Sequence, residues 1–310
     1  MSTLNVSAAP HINSGATTHN VMRDVAIALL PASIAAVVFF GLKALLILAV
    51  CVASAVLAEF VFNLAVGKKQ TVFDFSAVVT GLILGLNLSI KVPVWQCIVG
   101  SVFAIVVVKC LFGGLGKNIV NPAIAARVFL LLAFGATVAG GANTVFADPE
   151  LVSSATPLVG LQNGEYNLLQ LFLGNHGGTI GETCVIALLL GYAYLVWRGI
   201  IKWYVPFAFV ATVFGLYLVT TGNIGLSLAQ VMAGGLLFGA IFMATDYVTT
   251  PLSNLGKVVF CIGCGLITFG IRVGFLGAFP EGVSISILFM NLLTPLIEKW
   301  TNPRTLGGVK

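Results

Sequence analysis

Ten stretches of the chain are apolar over nearly their whole length: roughly residues 25–42, 44–66, 73–90, 94–112, 120–140, 182–198, 203–221, 227–245, 257–276 and 283–298. Their apolar positions run on continuously and do not alternate, which predicts helices and argues against the two-residue period of a membrane barrel. About 20 apolar residues cross a bilayer, fewer where a helix is broken. The pattern predicts an all-α polytopic membrane protein with about ten transmembrane helices.

The stretches divide five and five around a polar interval, residues 141–181. An odd number of spans per half inverts the second half relative to the first. The third and eighth stretches echo each other: "GLILGLNLSIKVP" (Gly81–Pro93) and "GLLFGAIFMATDYVTTP" (Gly235–Pro251) both begin Gly-Leu-x-x-Gly, turn polar and reach a proline. Interrupted helices at matching places in two halves mark the centre of an inverted-repeat fold. The expected organisation is a cytoplasmic segment 1–24, a five-helix repeat 25–140, an external loop 141–181, a second five-helix repeat 182–298 and a cytoplasmic tail 299–310.

Sidedness follows from the basic residues. With the N-terminus inside, 11 of the 15 fall in or at the edge of cytoplasmic loops, three (Lys43, Lys91, Arg272) fall outside, and Arg127 lies within a span. The opposite orientation would invert the positive-inside bias. Both termini are therefore expected in the cytoplasm.

Composition agrees. Of 310 residues, 59% are hydrophobic and only 8% charged, where soluble domains run near a quarter charged. The net charge of +5 belongs to membrane-flanking loops and does not point to nucleic acid. The first 24 residues are polar and read as a tail or interfacial segment, not as a secretory signal. Six cysteines lie in or beside apolar stretches and form no secreted disulfide framework; the pair in "CIGC" (Cys261, Cys264) reads as helix packing.

Ionisable groups in hydrocarbon are costly and need a partner or a task. Arg127 follows Asn121-Pro122, an N-cap and first-turn pair; it either snorkels to the interface or contacts a buried ligand. Glu59 is expected to pair with Arg127 or Lys109, or to meet a cation in transit. Asp74 and Glu182 read as first-turn partners of helix dipoles. The stretch "MATDYVTTPLSNLGK" (Met243–Lys257) clusters Thr245, Asp246, Thr249 and Thr250 before a helix-breaking Pro251; it is expected to form a pocket for a flat polar ligand. His11, His19 and His176 stand at no metal-ligand spacing. Phosphate-loop and catalytic-triad signatures are absent from the sequence, so no residue is assigned a catalytic role and no metal ligand is identified.

Within the long polar interval stands "ELVSSATPL", Glu150–Leu158. It resembles the site of covalent flavin mononucleotide attachment in membrane subunits of the Rnf and sodium-pumping NADH:quinone reductase complexes, a D-x-x-S-x-A-T pattern whose last threonine bonds the flavin phosphate. Ser153, Ala155 and Thr156 agree with it; Glu150 replaces Asp, and Ser154 stands where Gly is frequent. "NPAIAARVF", "FMATDYVTTP" and "IRVGFLGAFPEGVSISILFMNLLTPLIE" also resemble family segments, in order. The resemblance covers residues 20–300, and the chain's length resembles that of the Rnf D subunit.

The resemblance implies a urea-transporter-like inverted-repeat fold. It implies FMN bound covalently at Thr156, with Ser153, Ser154, Ala155 and Pro157 around it, on the external side. A second, noncovalent flavin, riboflavin, is implied by the quinone-reductase homologue; Asn121, Arg127, Asp246 and Thr249 are its expected contacts. Implied partners are the A and E membrane subunits, the G flavoprotein, the cytoplasmic B and C subunits, and a flavin transferase for maturation. The implied activity is one subunit's share of a redox-driven Na+- or H+-translocating ferredoxin:NAD+ oxidoreductase. Rival expectations are a solute channel or secondary transporter of the same fold without a redox role, and a scaffold that only holds redox partners.

Overall fold

The computed structural model describes residues 17–138, 167–174, 176–274 and 282–301. Among them the chain is helical throughout: α1 (Thr18–Phe40), α2 (Leu42–Val66), a 3₁₀ turn (Val72–Asp74), α3 (Ser76–Leu86), α4 (Val94–Val102) running on into a π-helical stretch (Phe103–Cys110), α5 (Pro122–Ala133), α6 (Gly135–Val138) and α7 (Leu168–Leu173). Then come α8 (Val185–Trp197), α9 (Tyr204–Thr221), α10 (Ile224–Met232), α11 (Leu236–Phe238) with a second π-helical stretch (Gly239–Met243), α12 (Asn254–Arg272) and α13 (Gly282–Thr301).

Each of the ten apolar intervals contains helix, but the helices are unequal. Five of them, α1, α2, α9, α12 and α13, are long and apolar enough to cross a membrane. A sixth span results if α10 and α11 with its π-helical extension, bent by 64° at their break, are taken together. The helices at 76–86, 94–110, 122–133 and 185–197 are shorter. Continuous hydropathy does not register where a backbone breaks, so apolar intervals and full-length helices do not correspond one to one.

Lipid accounts for the outer faces. Leu42, Leu57, Leu64 and Val219 are exposed large apolar side chains on long helices, an arrangement that is stable where the solvent is itself apolar. Inside, small residues bring helices into backbone contact, as expected where no hydrophobic force pairs them. A Cβ on Gly81 of α3 would stand 2.8 Å from Cys51 O and Val52 Cα of α2. One on Gly191 of α8 would stand 2.4 Å from Ala28 O of α1. Cys261 and Cys264 are buried free thiols in α12, and Gly263, between them, packs on the Met290 side chain.

Two broken helices approach each other: Asn87 Nδ2, after α3, lies 3.8 Å from Met243 Sδ at the end of the second π-helical stretch. α3 ends at Asn87, and the carbonyls of Leu86 and Leu88 accept from Gly181 N (2.7 Å) and Ile180 N (3.0 Å). Those donors satisfy acceptors that a helix end leaves bare. The break between α10 and α11 turns at Gly234 (φ +71°). Arg272 donates there to Gln230 O (2.7 Å) and Ala233 O (3.3 Å). Glu182 does not occupy the first turn of a helix, the place its sequence position suggests. It precedes α8, is buried, accepts from Thr179 N (2.9 Å), and lies against Gly235 at the start of α11.

Candidate functional site: a polar cavity beside a buried ion pair

Asn121 caps α5: its Oδ1 accepts from Ala123 N (3.0 Å) and Ile124 N (3.3 Å), and Pro122 occupies the first turn, where no donor is needed. With the oxygen engaged, the amide nitrogen donates to Asp246 Oδ2 at 3.3 Å. Asp246 also accepts from Thr249 Oγ1 (3.0 Å) and Val248 N (3.3 Å). Burial pushes its carboxyl above the usual range, and these last two donors pull partly back. Thr249 is buried and held from α13, where Thr294 Oγ1 donates to its carbonyl at 2.9 Å. With its amide turned to match both neighbours, Asn291 donates to Thr249 O and accepts from Asn121 N, both at 3.2 Å. Two segments 125 residues apart thus form one polar wall.

That wall borders a cavity between α1, α3, α5 and the turn after Met243. The cavity measures about 80 Å³, well under the roughly 300–1,000 Å³ of ligand sites, so a ring-sized ligand enters only if its walls part. Asn121, Asp246, Asn118, Ser76 and Lys109 all line it.

Lys109 lies in the last turn of the first π-helical stretch and is only 2% exposed. Its ammonium donates to Glu59 Oε1 (2.9 Å), Glu59 Oε2 (3.0 Å) and Ser76 Oγ (2.6 Å). Glu59, 1% exposed, also accepts from Thr71 Oγ1 (2.6 Å), which in turn accepts from Asn63 Nδ2 (3.0 Å). The Ser76 hydroxyl donates to Asp74 Oδ1. Of the partners open to Glu59, the structure selects Lys109.

The expected flavin contacts divide. Asn121, Asp246 and Thr249 are brought together. Arg127 is buried in α5 but is not among the residues lining the cavity. Ser153, Ser154, Ala155, Thr156 and Pro157 lie outside the described residues. Sequence reasoning missed Asn118 and the cavity face of Lys109. Asn118 is 6% exposed; its Nδ2 donates to Val120 O (3.1 Å), while its Oδ1 is buried without a partner. A buried, unsatisfied acceptor on a cavity wall suits a ligand N–H or O–H. Among the described residues no group of three or more His, Cys, Asp or Glu could hold a metal ion.

Comparison with known proteins extends over the chain. It is 45% identical over 313 residues to the D subunit of the Na+-translocating ferredoxin:NAD+ oxidoreductase complex of Acetobacterium woodii, covering 99% of this chain and 96% of that one. It is 36% identical to the D subunit of the proton-translocating ferredoxin:NAD+ oxidoreductase complex of Clostridium ljungdahlii (97% and 96% covered). It is 37% identical to the D subunit of the ion-translocating oxidoreductase complex of Stutzerimonas stutzeri (93% and 91% covered). Residues 5–307 match the family described as NQR2, RnfD, RnfE, and with these relatives aligned over nearly its whole length the chain belongs to that family.

Proposed function

We propose that this chain is the D subunit of an Rnf-type, ion-translocating ferredoxin:NAD+ oxidoreductase and carries flavin within a prokaryotic cytoplasmic membrane. The 45% identity to the Acetobacterium woodii protein over 99% of the chain carries the reading. FMN is bonded through its phosphate to Thr156, on an external loop, by a separate flavin transferase. The A, E and G subunits in the membrane and the B and C subunits in the cytoplasm complete the electron path. The ten helical intervals form two inverted, urea-transporter-like repeats with both termini inside, which the distribution of basic residues supports.

A second, noncovalent flavin, riboflavin, occupies the cavity beside Asn121. The polar wall supports it: Asn118 offers an acceptor, Asn121 the second N–H of its amide, and Asp246 a carboxyl whose protonation is favoured by burial. Bound flavin supplies the electron chemistry, and the residues supply position and field. In the loop, Ser153, Ser154, Ala155 and Pro157 present the Thr156 hydroxyl to the transferase. Arg127 supports the α5 end of the site from behind its lining.

Ultraviolet fluorescence of the protein on a denaturing gel tests the covalent link. We expect a fluorescent band that disappears in Thr156→Ala, and a peptide around residue 156 heavier by bound FMN. A band equally bright in Thr156→Ala, from a host that has the transferase, overturns the assignment.

A further inference from the structure

Two lysines stand where α9 and α12 begin, and we propose that Lys202 and Lys257 clamp the phosphate of an anionic phospholipid at the membrane surface. The register of the two helices brings them together. Gly265 of α12 packs on α9, where a Cβ would stand 2.7 Å from Thr212 Cβ. Further along both helices Phe269 meets Tyr217, with ring centroids 5.0 Å apart. The two contacts advance in the same direction, so the helices run parallel and start at the same end. Lys257 and Tyr204 each stand eight residues before the Gly265–Thr212 contact. Lys257 is therefore level with the start of α9, two residues after Lys202, and the Lys202 charge is felt there.

No acid answers these charges. Among the described residues neither lysine takes part in an ion pair. Asp24 is engaged by Arg198 and Tyr194, and Glu298 accepts from Leu252 N at 3.0 Å. Like charges held side by side repel. An anion bonded to both replaces that repulsion with charge-assisted hydrogen bonds.

Tryptophans mark the level of the pair in the bilayer. Trp197, Trp203 and Trp300 are all exposed and belong to one end of the molecule. The Tyr192 hydroxyl donates to Trp203 O (2.7 Å), tying α8 to the start of α9, and Ser253 Oγ donates to Thr301 Oγ1 (2.8 Å), tying the start of α12 to the end of α13. Exposed tryptophans collect at the headgroup level of a membrane. Beyond the lysines the surface is apolar: Phe207 on α9 is exposed, as are Val259, Ile262 and Leu266, which share one face of α12. A phospholipid fits both parts, its phosphate on the ammonium groups and its chains along the helices, and basic pockets between membrane helices take such headgroups. An acidic protein would match the lysines but not the apolar face beside them.

The test uses the whole purified complex, stripped of loosely held lipid in detergent and titrated with diphosphatidylglycerol in mixed micelles. Bound lipid and melting temperature are followed, with phosphatidylcholine and inorganic phosphate as comparisons. Wild type is expected to bind the anionic lipid in preference to phosphatidylcholine and to melt higher with it. Lys202→Gln/Lys257→Gln is expected to weaken that binding about 30-fold, at about fivefold per lysine, and to lose the rise in melting temperature. Lys202→Arg/Lys257→Arg, which keeps both charges, is expected to retain both effects. Wild type without preference for the anionic lipid, or binding unchanged in the glutamine variant, overturns the clamp. Displacement of the lipid by an equal concentration of inorganic phosphate overturns a lipid as its ligand.

Discussion

Lys109 is almost fully buried, and its neighbours account for the cost. Glu59 supplies the counter-charge and Ser76 the last acceptor. Removing one member strands the other, at about 3–5 kcal/mol. Lys109→Met is therefore expected to lower the melting temperature of the solubilised protein sharply. The double variant Lys109→Met/Glu59→Met is expected to regain most of the loss, and equal melting of single and double variants would contradict the pairing. Asp246 carries a different signature. Burial raises its carboxyl above the unfolded value, so its contribution is fully present below the unfolded pKa and is lost as pH rises through the folded one. Melting measured from pH 4 to 8 should fall with rising pH more steeply in wild type than in Asp246→Asn; parallel curves would refute this. Glu59 is conspicuous in the sequence because an acid inside an apolar run must be answered. Lys109 as the answer is not legible over Arg127, because it sits 50 residues away and only packing chooses between them.

Among elements, the glycines of α3 and α8 set distances. Gly81→Ala would push a methyl into the α2 backbone, and Gly191→Ala one into the carbonyl of Ala28. Each is expected to cost about 1–3 kcal/mol through overpacking, measured as lost thermal stability or loss of folded protein. Gly41→Ala, with nothing within 4 Å of its Cβ, should instead cost the backbone strain of φ +74°, ψ −166°, about 1–3 kcal/mol. The apolar runs make ten helical intervals legible but not α7, which lies in the polar interval 141–181, and Asn121-Pro122 makes the start of α5 legible. Helix lengths are not. The break before α11 is held by Arg272 and the end of α3 by Ile180 and Gly181. These partners are distant in the chain, and hydropathy carries no trace of them.

At the scale of the molecule, the two halves of the chain interlock. Gly191 of α8 abuts α1, and Arg198 fastens to Asp24 at 3.1 Å (Nε) and 2.8 Å (Nη2), with Tyr194 adding a 3.3 Å bond. The proposed orientation is tested by an impermeant maleimide: a cysteine in place of Ser153 should label in intact cells, and one in place of Arg304 only after lysis. The reverse pattern would invert the topology. Overall identity does not choose the transported ion, since relatives at 45% and 36% bear names for Na+ and for protons.

The two bonds that Ile180 and Gly181 make to the end of α3 have a consequence for biosynthesis. Synthesis runs from the N-terminus at about 5–20 residues per second, so α3 emerges several seconds before the strap that finishes it. In that interval two carbonyls face the lipid or the translocation machinery without donors. A nascent chain stalled short of residue 181 would present that unfinished end to membrane quality control.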